Sequence, residues 1–317
     1  MKSKAIKINN CEIMNWFELK FIYCIINDRR ILIMEKVLII DGNNLLFQMF
    51  YGMPSKIYNK SGETIHATIG FISATMRLIK LIDASKVIVV FDEDGSEERK
   101  QEYEDYKSNR INNWDELPAD EVPFNEEDKI IKCLEYMNIK VLKSKNMEAD
   151  DLIASLALLY KEDNKVFISS YDSDFFQLID NNISIIRYKG KNSKIIDENE
   201  FINSFGFIPS KYVFYKCLVG DSADNIKGIN GIGKKRATTI VNNCSSFEEL
   251  LANANKYLPS KIVDGLNGEK DRFLLNNKII TLTYMSEINY DILEFNFDNN
   301  KLSMSNSQVL SANKIFD

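Results

Sequence analysis

Short apolar runs that end at an aspartate constrain the fold of this chain more than any other feature of its sequence. The run VLII ends at Asp41, KVIVVF ends at Asp92, and VFIS ends shortly before Asp172. Runs of this length and β-branched content are typical of buried strands in a parallel sheet. Because stretches with helical spacing separate them, the sequence predicts an α/β fold with a doubly wound, mostly parallel sheet.

Changes in composition and in the spacing of apolar residues divide the chain into four segments. Residues 1–33 carry little pattern and end before a methionine that precedes the first predicted strand, so we interpret them as an extension upstream of the native chain. Residues 34–200 hold the α/β pattern, and within them about 95–124 are densely charged. Short helices and glycine-rich turns mark 201–255, and weaker signals mark a C-terminal segment, 256–317.

Composition excludes several kinds of site. The chain has one histidine, so no site can use two imidazoles. Its five cysteines stand singly, which disfavours a disulfide framework and a structural zinc site and favours a reducing cytoplasm. The apolar run at 21–26 is too short to span a bilayer, so we expect no membrane partner. The 46 acids outnumber the 40 bases, which at first disfavours nucleic acid as a partner.

Nine carboxylates are positioned to change that conclusion. They are Asp41, Asp92, Glu148, Asp150, Asp151, Asp172, Asp174, Asp221 and Asp224. Four of them stand at or just past the predicted strands, whose carboxyl ends share one edge of a parallel sheet. Three more open a helix, and the last two are spaced i, i+3. If they converge, cations must neutralise them, and oxygen ligands favour Mg²⁺ or Mn²⁺.

Each carboxylate group also has a plainer interpretation. A single aspartate after a strand is often a turn former or a helix N-cap, and acids in a first helical turn satisfy the helix dipole. Four groups at corresponding strand ends favour the metal site. Two ions about 4 Å apart form a clamp for in-line attack of water on a phosphodiester.

Two basic groups could hold a polyanion beside these acids. With nine of the 46 acids neutralised by cations, the remaining acids no longer outnumber the 40 bases. The basic side chains are Arg99, Lys107 and Arg110 in the charged segment, and Lys234, Lys235 and Arg236 after a glycine turn. A charge run is usually only a solvated face, so neither group is decisive by itself.

The glycine turn, GINGIGKKRA, places Gly228, Gly231 and Gly233 directly before a basic helix start. Glycines permit tight turns and close backbone approach, and amide groups at a helix N-terminus can hold a phosphate. This pattern is typical of a hairpin that binds a duplex backbone without contacting bases. A dinucleotide site is disfavoured because no βαβ unit surrounds the turn.

Seven motifs together resemble one family. In chain order they are LIIDGNN, VVFDEDG, RKQEYEDYKSNR, MEADD, SYDSDFFQL, GDSADN and GINGIGKKRA. The chain resembles the 5′→3′ exonuclease/flap endonuclease family, which includes the 5′-nuclease domain of bacterial DNA polymerase I and stand-alone relatives. The resemblance runs from about 37 to 251. It implies a PIN-like, mostly parallel sheet flanked by helices, a helical arch at about 95–124, and a small helix-hairpin-helix-type subdomain.

The resemblance also implies residue roles. The ligands of a tighter metal site match Asp41, Asp92, Glu148 and Asp150, with Asp151 adjoining, and the acids around a second site match Asp172, Asp174, Asp221 and Asp224. Tyr106, Lys107 and Arg110 match catalytic residues of the helical arch that admits the single-stranded 5′ end, where Lys107 and Arg110 would steady the scissile phosphate, and Arg99 lies upstream as a DNA-binding residue. The glycine turn matches a duplex-binding motif that often surrounds a K⁺ ion. We therefore expect two Mg²⁺ or Mn²⁺ ions per site and a monomer that acts on DNA with a free 5′ end.

Two positions depart from the family pattern. Gln48 stands where the family usually has an arginine, which removes a phosphate contact. Trp114 lies in a long acidic stretch, where its ring would either stack on an unpaired base or pack inside the arch.

The function that follows is hydrolysis of DNA phosphodiesters by a structure-specific 5′→3′ exonuclease or flap endonuclease with a two-metal-ion mechanism. Two alternatives stay open at this point. One is a related metal-dependent ribonuclease, and the other is a structure-specific DNA-binding protein without catalysis.

Overall fold

A six-stranded sheet organises the computed structural model, which describes residues 34–93, 103, 106–108, 114–145, 147–284 and 304–317. Its strands are β1 (Glu35–Asp41), β2 (Lys86–Asp92), β3 (Lys140–Ser144), β4 (Asn164–Ser169), β5 (Ile183–Arg187) and β6 (Lys194–Ile196). They lie in the order β3-β2-β1-β4-β5-β6. The pairs β1–β2, β2–β3 and β4–β5 are parallel, and β6 pairs antiparallel to β5. The predicted mostly parallel sheet is confirmed, and the three-residue antiparallel strand is an addition to it.

Both faces of the sheet are covered, which explains why β1 is apolar without interruption. Val37 and Ile39 face one core together with Leu152, while Leu38 and Ile40 face a second core on the other side. All four strand residues are fully buried. Because successive strand side chains point to opposite faces, a strand between two cores needs apolar residues at every position.

Helices cover these two faces and build the C-terminal part. In chain order they are α1 (Gly42–Gly52), α2 (His66–Ile82), α3 (Glu127–Tyr136), α4 (Ala149–Tyr160), α5 (Glu198–Phe205), α6 (Tyr212–Val219), α7 (Lys234–Asn243), α8 (Phe247–Tyr257), α9 (Ser260–Leu266), α10 (Lys270–Ile280) and α11 (Asn306–Ala312). A two-stranded hairpin, β7 (Gly220–Asp221) and β8 (Ile226–Lys227), joins α6 to the glycine turn. No helix in the described ranges is both long enough and apolar enough to cross a bilayer.

An aromatic cluster joins the sheet to the C-terminal helices. Phe176, just past β4, packs against Phe201 at a centroid distance of 5.6 Å and against Tyr212 at 5.5 Å. The Phe201 ring also stacks on Phe205 at 4.5 Å. The domain boundary at 200/201 stays a prediction, and α5 runs across it. The predicted extension 1–33 lies outside the described residues.

The last described segment, 304–317, returns to the sheet domain. Val309 and Leu310 of α11 are buried in the core that contains α2. The Asn306 side chain donates hydrogen bonds to the Ile69 carbonyl at 3.2 Å and to the Ser73 hydroxyl at 2.6 Å. The end of the chain therefore adds to the apolar cover of α2.

Candidate active site

Asp41 links the end of β1 to the start of α1. Its carboxylate accepts hydrogen bonds from the Asn44 amide at 3.0 Å, as an N-cap, and from the Ser170 hydroxyl at 2.7 Å. Burial raises the pKa of Asp41 to about 6 against these hydrogen bonds, and the nearby charges of Asp172 and Asp92 add to the rise. Asp41 is thus both the N-cap of the plainer interpretation and a member of a charged group.

Asp92 stands at the end of β2, next to β1 in the sheet. Its carboxylate accepts hydrogen bonds from the Ser144 hydroxyl at 2.9 Å and from the Ala149 amide at 3.3 Å, so it fixes the start of α4. Burial raises the pKa of Asp92, and the negative charge of Glu148 raises it further. Glu148 is the N-cap residue of α4 and is 4% exposed.

Two adjacent acids of α4 have different surroundings. Burial raises the pKa of Asp150 well above its ordinary value, and the charges of Asp172 and Asp41 are the next causes. Asp151 is instead hydrogen-bonded to the Thr283 amide at 2.8 Å. The structure therefore brings Asp150 to the strand-end acids, while this hydrogen bond ties Asp151 to the segment that follows α10.

A second acidic group joins the sheet to the β7–β8 hairpin. Carboxylate oxygens of Asp174, Asp221 and Asp224 lie within 4.8 Å of one another, and these three form the metal-sized acidic group found among the described residues. Burial raises the pKa of Asp174 to about 7, although Lys216 lowers it. Asp172 adds its charge to Asp174 as well as to Asp41 and Asp150, so it connects the two groups.

Sequence reasoning missed Lys216. Its ammonium is ion-paired with Asp174 and with Asp221, at 2.5 Å for the latter, and the residue is 4% exposed. Burial lowers the pKa of Lys216, but the charges of Asp174 and Asp172 outweigh it and raise the pKa overall. The available signal was a lone lysine in the apolar helical run YVFYKCLV, five residues before Asp221.

Tyr106 and Lys107 connect the predicted arch to the acids. The Lys107 ammonium lies 3.0 Å from Glu148, and the buried Tyr106 hydroxyl donates to the same carboxylate at 3.3 Å. The Lys107 amide donates to the Asp224 carbonyl at 3.2 Å. This turn therefore contacts both acidic groups. Arg99 and Arg110 lie outside the described residues, as does much of the predicted arch.

The glycine turn leads into a helix start without a side-chain cap. Gly233 is the N-cap residue of α7 and has no atom within 4 Å of the place where a Cβ would stand. Lys234 and Lys235 are exposed, whereas Arg236 donates to the Gly231 carbonyl at 2.6 Å. Gly228 packs against the α6 backbone at Val219 and adopts no left-handed φ.

A cavity of about 450 Å³ runs between the second acidic group and this turn. Asp221, Asn225, Gly233 and Lys234 are among the residues that line it. Asp221 and the basic helix start therefore open onto one continuous space.

Gln48 and Trp114, the two departures from the family pattern, both make defined contacts with neighbouring residues. The Gln48 amide donates to the Tyr188 carbonyl at 2.7 Å. Trp114 packs edge-on against Phe47 at 5.7 Å and Phe124 at 5.4 Å. Of the two roles predicted for Trp114, stacking on a base or packing against the protein, the structure therefore shows packing.

Comparison with known families decides the relationship. The family described as 5'-3' exonuclease, N-terminal resolvase-like domain, matches residues 36–206, and 5'-3' exonuclease, C-terminal SAM fold, matches residues 207–303. This chain belongs to the 5′-3′ exonuclease family. The sequence-based identification and the nuclease class that it implies are confirmed.

Individual relatives agree with this assignment. The chain is 34% identical over 254 residues to the 5'-3' exonuclease of Mycoplasmopsis pulmonis, covering 78% of this chain and 80% of that protein. It is 33% identical over 225 residues to the 5'-3' exonuclease of Aquifex aeolicus, covering 71% of this chain and 75% of the relative. A match of 32% over 252 residues to the DNA polymerase I of Caldicellulosiruptor bescii covers 78% of this chain but 29% of that polymerase.

Solved structures share the fold at low sequence identity. The bacteriophage T5 flap endonuclease, in a complex with DNA and metal ions, has a TM-score of 0.65 at 20% identity, covering 88% of this chain and 100% of that one. The catalytic core of Rad2, in complex with DNA substrate, has a TM-score of 0.55 at 15% identity, covering 88% and 93%. The predicted fold class is confirmed.

Proposed function

We propose that this nuclease hydrolyses DNA phosphodiesters in a strand with a free 5′ end, at flaps, nicks or branches, with two divalent cations. One observation supports this most directly. Asp172 interacts electrostatically with Asp41 and Asp150 on one side and with Asp174 on the other. The charges of acids from distant parts of the chain therefore act on one another, which supports one shared site over separate helix caps.

The side chains fit hard cations. The donors are carboxylate oxygens, which Mg²⁺ and Mn²⁺ prefer. Burial raises the pKa of Asp41 to about 6 and that of Asp174 to about 7, so these carboxylates gain from a cation that stabilises their ionised forms. The first cation would be held by Asp41, Asp92, Glu148 and Asp150, and the second by Asp172, Asp174, Asp221 and Asp224. Bound there, the ions would supply activation of water and stabilisation of the leaving oxygen.

The remaining side chains orient the acids and meet the substrate. Tyr106 and Lys107 fix the two oxygens of Glu148, and the Lys107 ammonium stands at the edge of the acids, where a scissile phosphate would approach. We assign Asp151 to holding α4 against the segment at Thr283 rather than to a metal. Arg99 and Arg110 stay predictions for contacts with the 5′ strand.

The glycine turn is proposed to hold the duplex. Exposed Lys234 and Lys235 stand where the amide groups of α7 lack a side-chain cap, which favours a backbone phosphate. The cavity between this turn and Asp221 would place a bound duplex beside the acids. A K⁺ ion at the carbonyls of 228–233 and a monomeric protein complete the proposal.

A cleavage assay tests the function. DNA and RNA 5′ flaps of identical sequence are incubated with the enzyme in Mg²⁺, in Mn²⁺ and in chelator. We expect cleavage of the DNA flap with either metal and none in chelator. Asp174→Asn should lower kcat by at least about a hundredfold while duplex binding persists, and Glu162→Gln, at an exposed acid outside the site, should leave cleavage unchanged. Equal cleavage of RNA would support a ribonuclease, and binding without cleavage would support a DNA-binding protein.

Duplex binding is tested through its salt dependence. Lys234→Ala should weaken binding of all duplexes alike and reduce the slope of log K against log salt by about one. Lys80→Ala is the matched control, because Lys80 is an exposed lysine in the last turn of α2, away from the carboxyl ends of the strands. Equal slopes for Lys234→Ala and the parent protein would remove this lysine from the interface.

A further inference from the structure

Tyr171 is an exposed aromatic residue whose two neighbours in the chain belong to the acidic site. It lies between Ser170, which donates to Asp41, and Asp172, which connects the two acidic groups. The residue is 43% exposed, although its neighbours on both sides are largely buried or half-buried. The ring is therefore open to contact with a ligand that approaches this part of the chain.

The backbone and hydroxyl of Tyr171 are both held in place. Its amide donates to the Asn44 side chain at 3.0 Å, and its hydroxyl donates to the Tyr188 carbonyl at 2.9 Å. Gln48 donates to the same carbonyl at 2.7 Å. The ring is therefore fixed at both ends before any ligand arrives, which reduces the entropy lost on binding.

A guanidinium group supports the ring. The Arg187 guanidinium lies 5.4 Å from the centroid of Tyr171 and 4.6 Å from that of Phe176. One of its nitrogens donates to the Ser170 carbonyl at 3.1 Å. Arg187 thus ties the loop that carries Tyr171 to β5, and its planar cation packs on the aromatic ring.

The other described rings beside the acids are buried or half-buried. Tyr106 is 5% exposed and Phe175 is fully buried. Phe47 makes ring contacts with Tyr51, Trp114 and Phe124. Tyr171 is therefore the described ring adjoining these acids that combines exposure with a fixed orientation.

We propose that Tyr171 is a stacking platform for the unpaired base next to the scissile phosphate. This inference rests on the proposed function and deepens it, because it names the part of the substrate that this face receives. Stacking on an aromatic ring accepts every base, as a nuclease that selects structure rather than sequence requires. Gln48 and Arg187 act as positioning residues, since they hold the carbonyl and the loop that fix the ring.

The test compares two variants that lose the same hydrogen bond. Tyr171→Phe keeps the ring and Tyr171→Leu removes it, while both lack the hydroxyl that bonds Tyr188. On a 5′ flap we expect Tyr171→Leu to lower kcat/KM by about tenfold, within the range for a base stacked on an aromatic ring, and Tyr171→Phe to stay close to the parent. Equal losses in the two variants would overturn the proposal. They would show that Tyr171 acts through the hydrogen bond from its hydroxyl to Tyr188.

Changing the substrate isolates the contact. An abasic site at the nucleotide next to the scissile phosphate should slow the parent by a similar factor and should not slow Tyr171→Leu further. A full additional loss in Tyr171→Leu would show that the ring and the base do not interact.

A binding measurement separates this inference from the proposed function. With Ca²⁺ in place of Mg²⁺, the fluorescence of 2-aminopurine at the same position should be quenched by the parent and by Tyr171→Phe, but not by Tyr171→Leu. Quenching that depends on the ring, without cleavage in Mg²⁺, would overturn the proposed function while showing that Tyr171 stacks on an unpaired base. Cleavage in Mg²⁺ with equal quenching in all three proteins would overturn this inference and leave the proposed function standing.

Discussion

Lys216 places a positive charge where few lysines lie, 4% exposed between Asp174 and Asp221. Removing one partner of a buried ion pair leaves the other charge uncompensated. We expect Lys216→Met to lower the free energy of unfolding by about 3 kcal/mol in chelator. Urea denaturation at about pH 8 measures this loss, and the loss should shrink at about pH 6, where Asp174 takes up a proton.

The partner acid supplies the control for Lys216. In Asp174→Asn the buried carboxylate is already neutral, so adding Lys216→Met should cost clearly less than it does in the parent. Saturating Mg²⁺ should also restore part of the stability of Lys216→Met, because a cation then stabilises the same oxygens. Equal costs in both backgrounds would show that Lys216 stabilises the fold by packing rather than by charge.

Some residue roles could be predicted from sequence and others could not. Asp41 and Asp92 were predictable because a strand that ends at an acid places it at a known edge of the sheet. The hydrogen bond between Asp151 and Thr283 joins residues 132 positions apart, and no local pattern indicates it. Lys216 was missed because its partners, Asp174 and Asp221, lie in other elements, although a lone lysine in an apolar helical run was a local signal for it.

At the scale of single elements, the glycine turn divides its glycines between two roles. A Cβ at Gly228 would stand 2.5 Å from the carbonyl oxygen of Val219, so this glycine is required by packing. A Cβ at Gly233 would meet nothing within 4 Å. The sequence predicted tight turns and close backbone approach for the three glycines together, because motif spacing does not show which neighbours pack on each glycine.

These two glycines give a matched prediction. Gly228→Ala should lower the free energy of unfolding by at least about 2 kcal/mol, because the methyl group collides with backbone that cannot move aside. Gly233→Ala should cost less than about 1 kcal/mol but should weaken duplex binding, since its methyl group occupies the open approach to α7. Urea denaturation and fluorescence anisotropy with a DNA duplex measure the two effects. If Gly233→Ala lost the stability and Gly228→Ala lost the duplex binding, the roles assigned to the two glycines would be wrong.

Across the whole molecule, the strands were the most predictable feature and the contacts between distant segments the least. Alternate residues of β1 supply two different cores, so a continuous apolar run specifies its place in the sheet. The strand β6 has three residues and two exposed side chains, which leaves almost no pattern to detect. Asp174, Asp221 and Asp224 come together because the β7–β8 hairpin meets the sheet edge, and the motif GDSADN indicated only that its own two acids share a face.

Burial of these carboxylates makes the stability of the protein depend on pH in a direction opposite to that of ordinary ion-paired acids. Burial raises the pKa of Asp41 from 3.8 to about 6 and that of Asp174 from 3.8 to about 7. Between these values the folded protein holds protons that the unfolded chain has released. In chelator the free energy of unfolding should therefore fall as pH rises from about 4 to about 7, with Asp41 contributing up to about 3 kcal/mol.

Two comparisons test this pH dependence. Asp41→Asn cannot titrate but can still accept the Asn44 hydrogen bond, so its stability in chelator should fall less steeply over the same range. Saturating Mg²⁺ should flatten the decline in the parent, because a cation that binds only the folded, ionised site adds stability as the protons leave. Urea denaturation at several pH values, with and without Mg²⁺, measures both slopes. If Mg²⁺ left the parent's slope unchanged, the acids that converge in the fold would not be acting as a cation site.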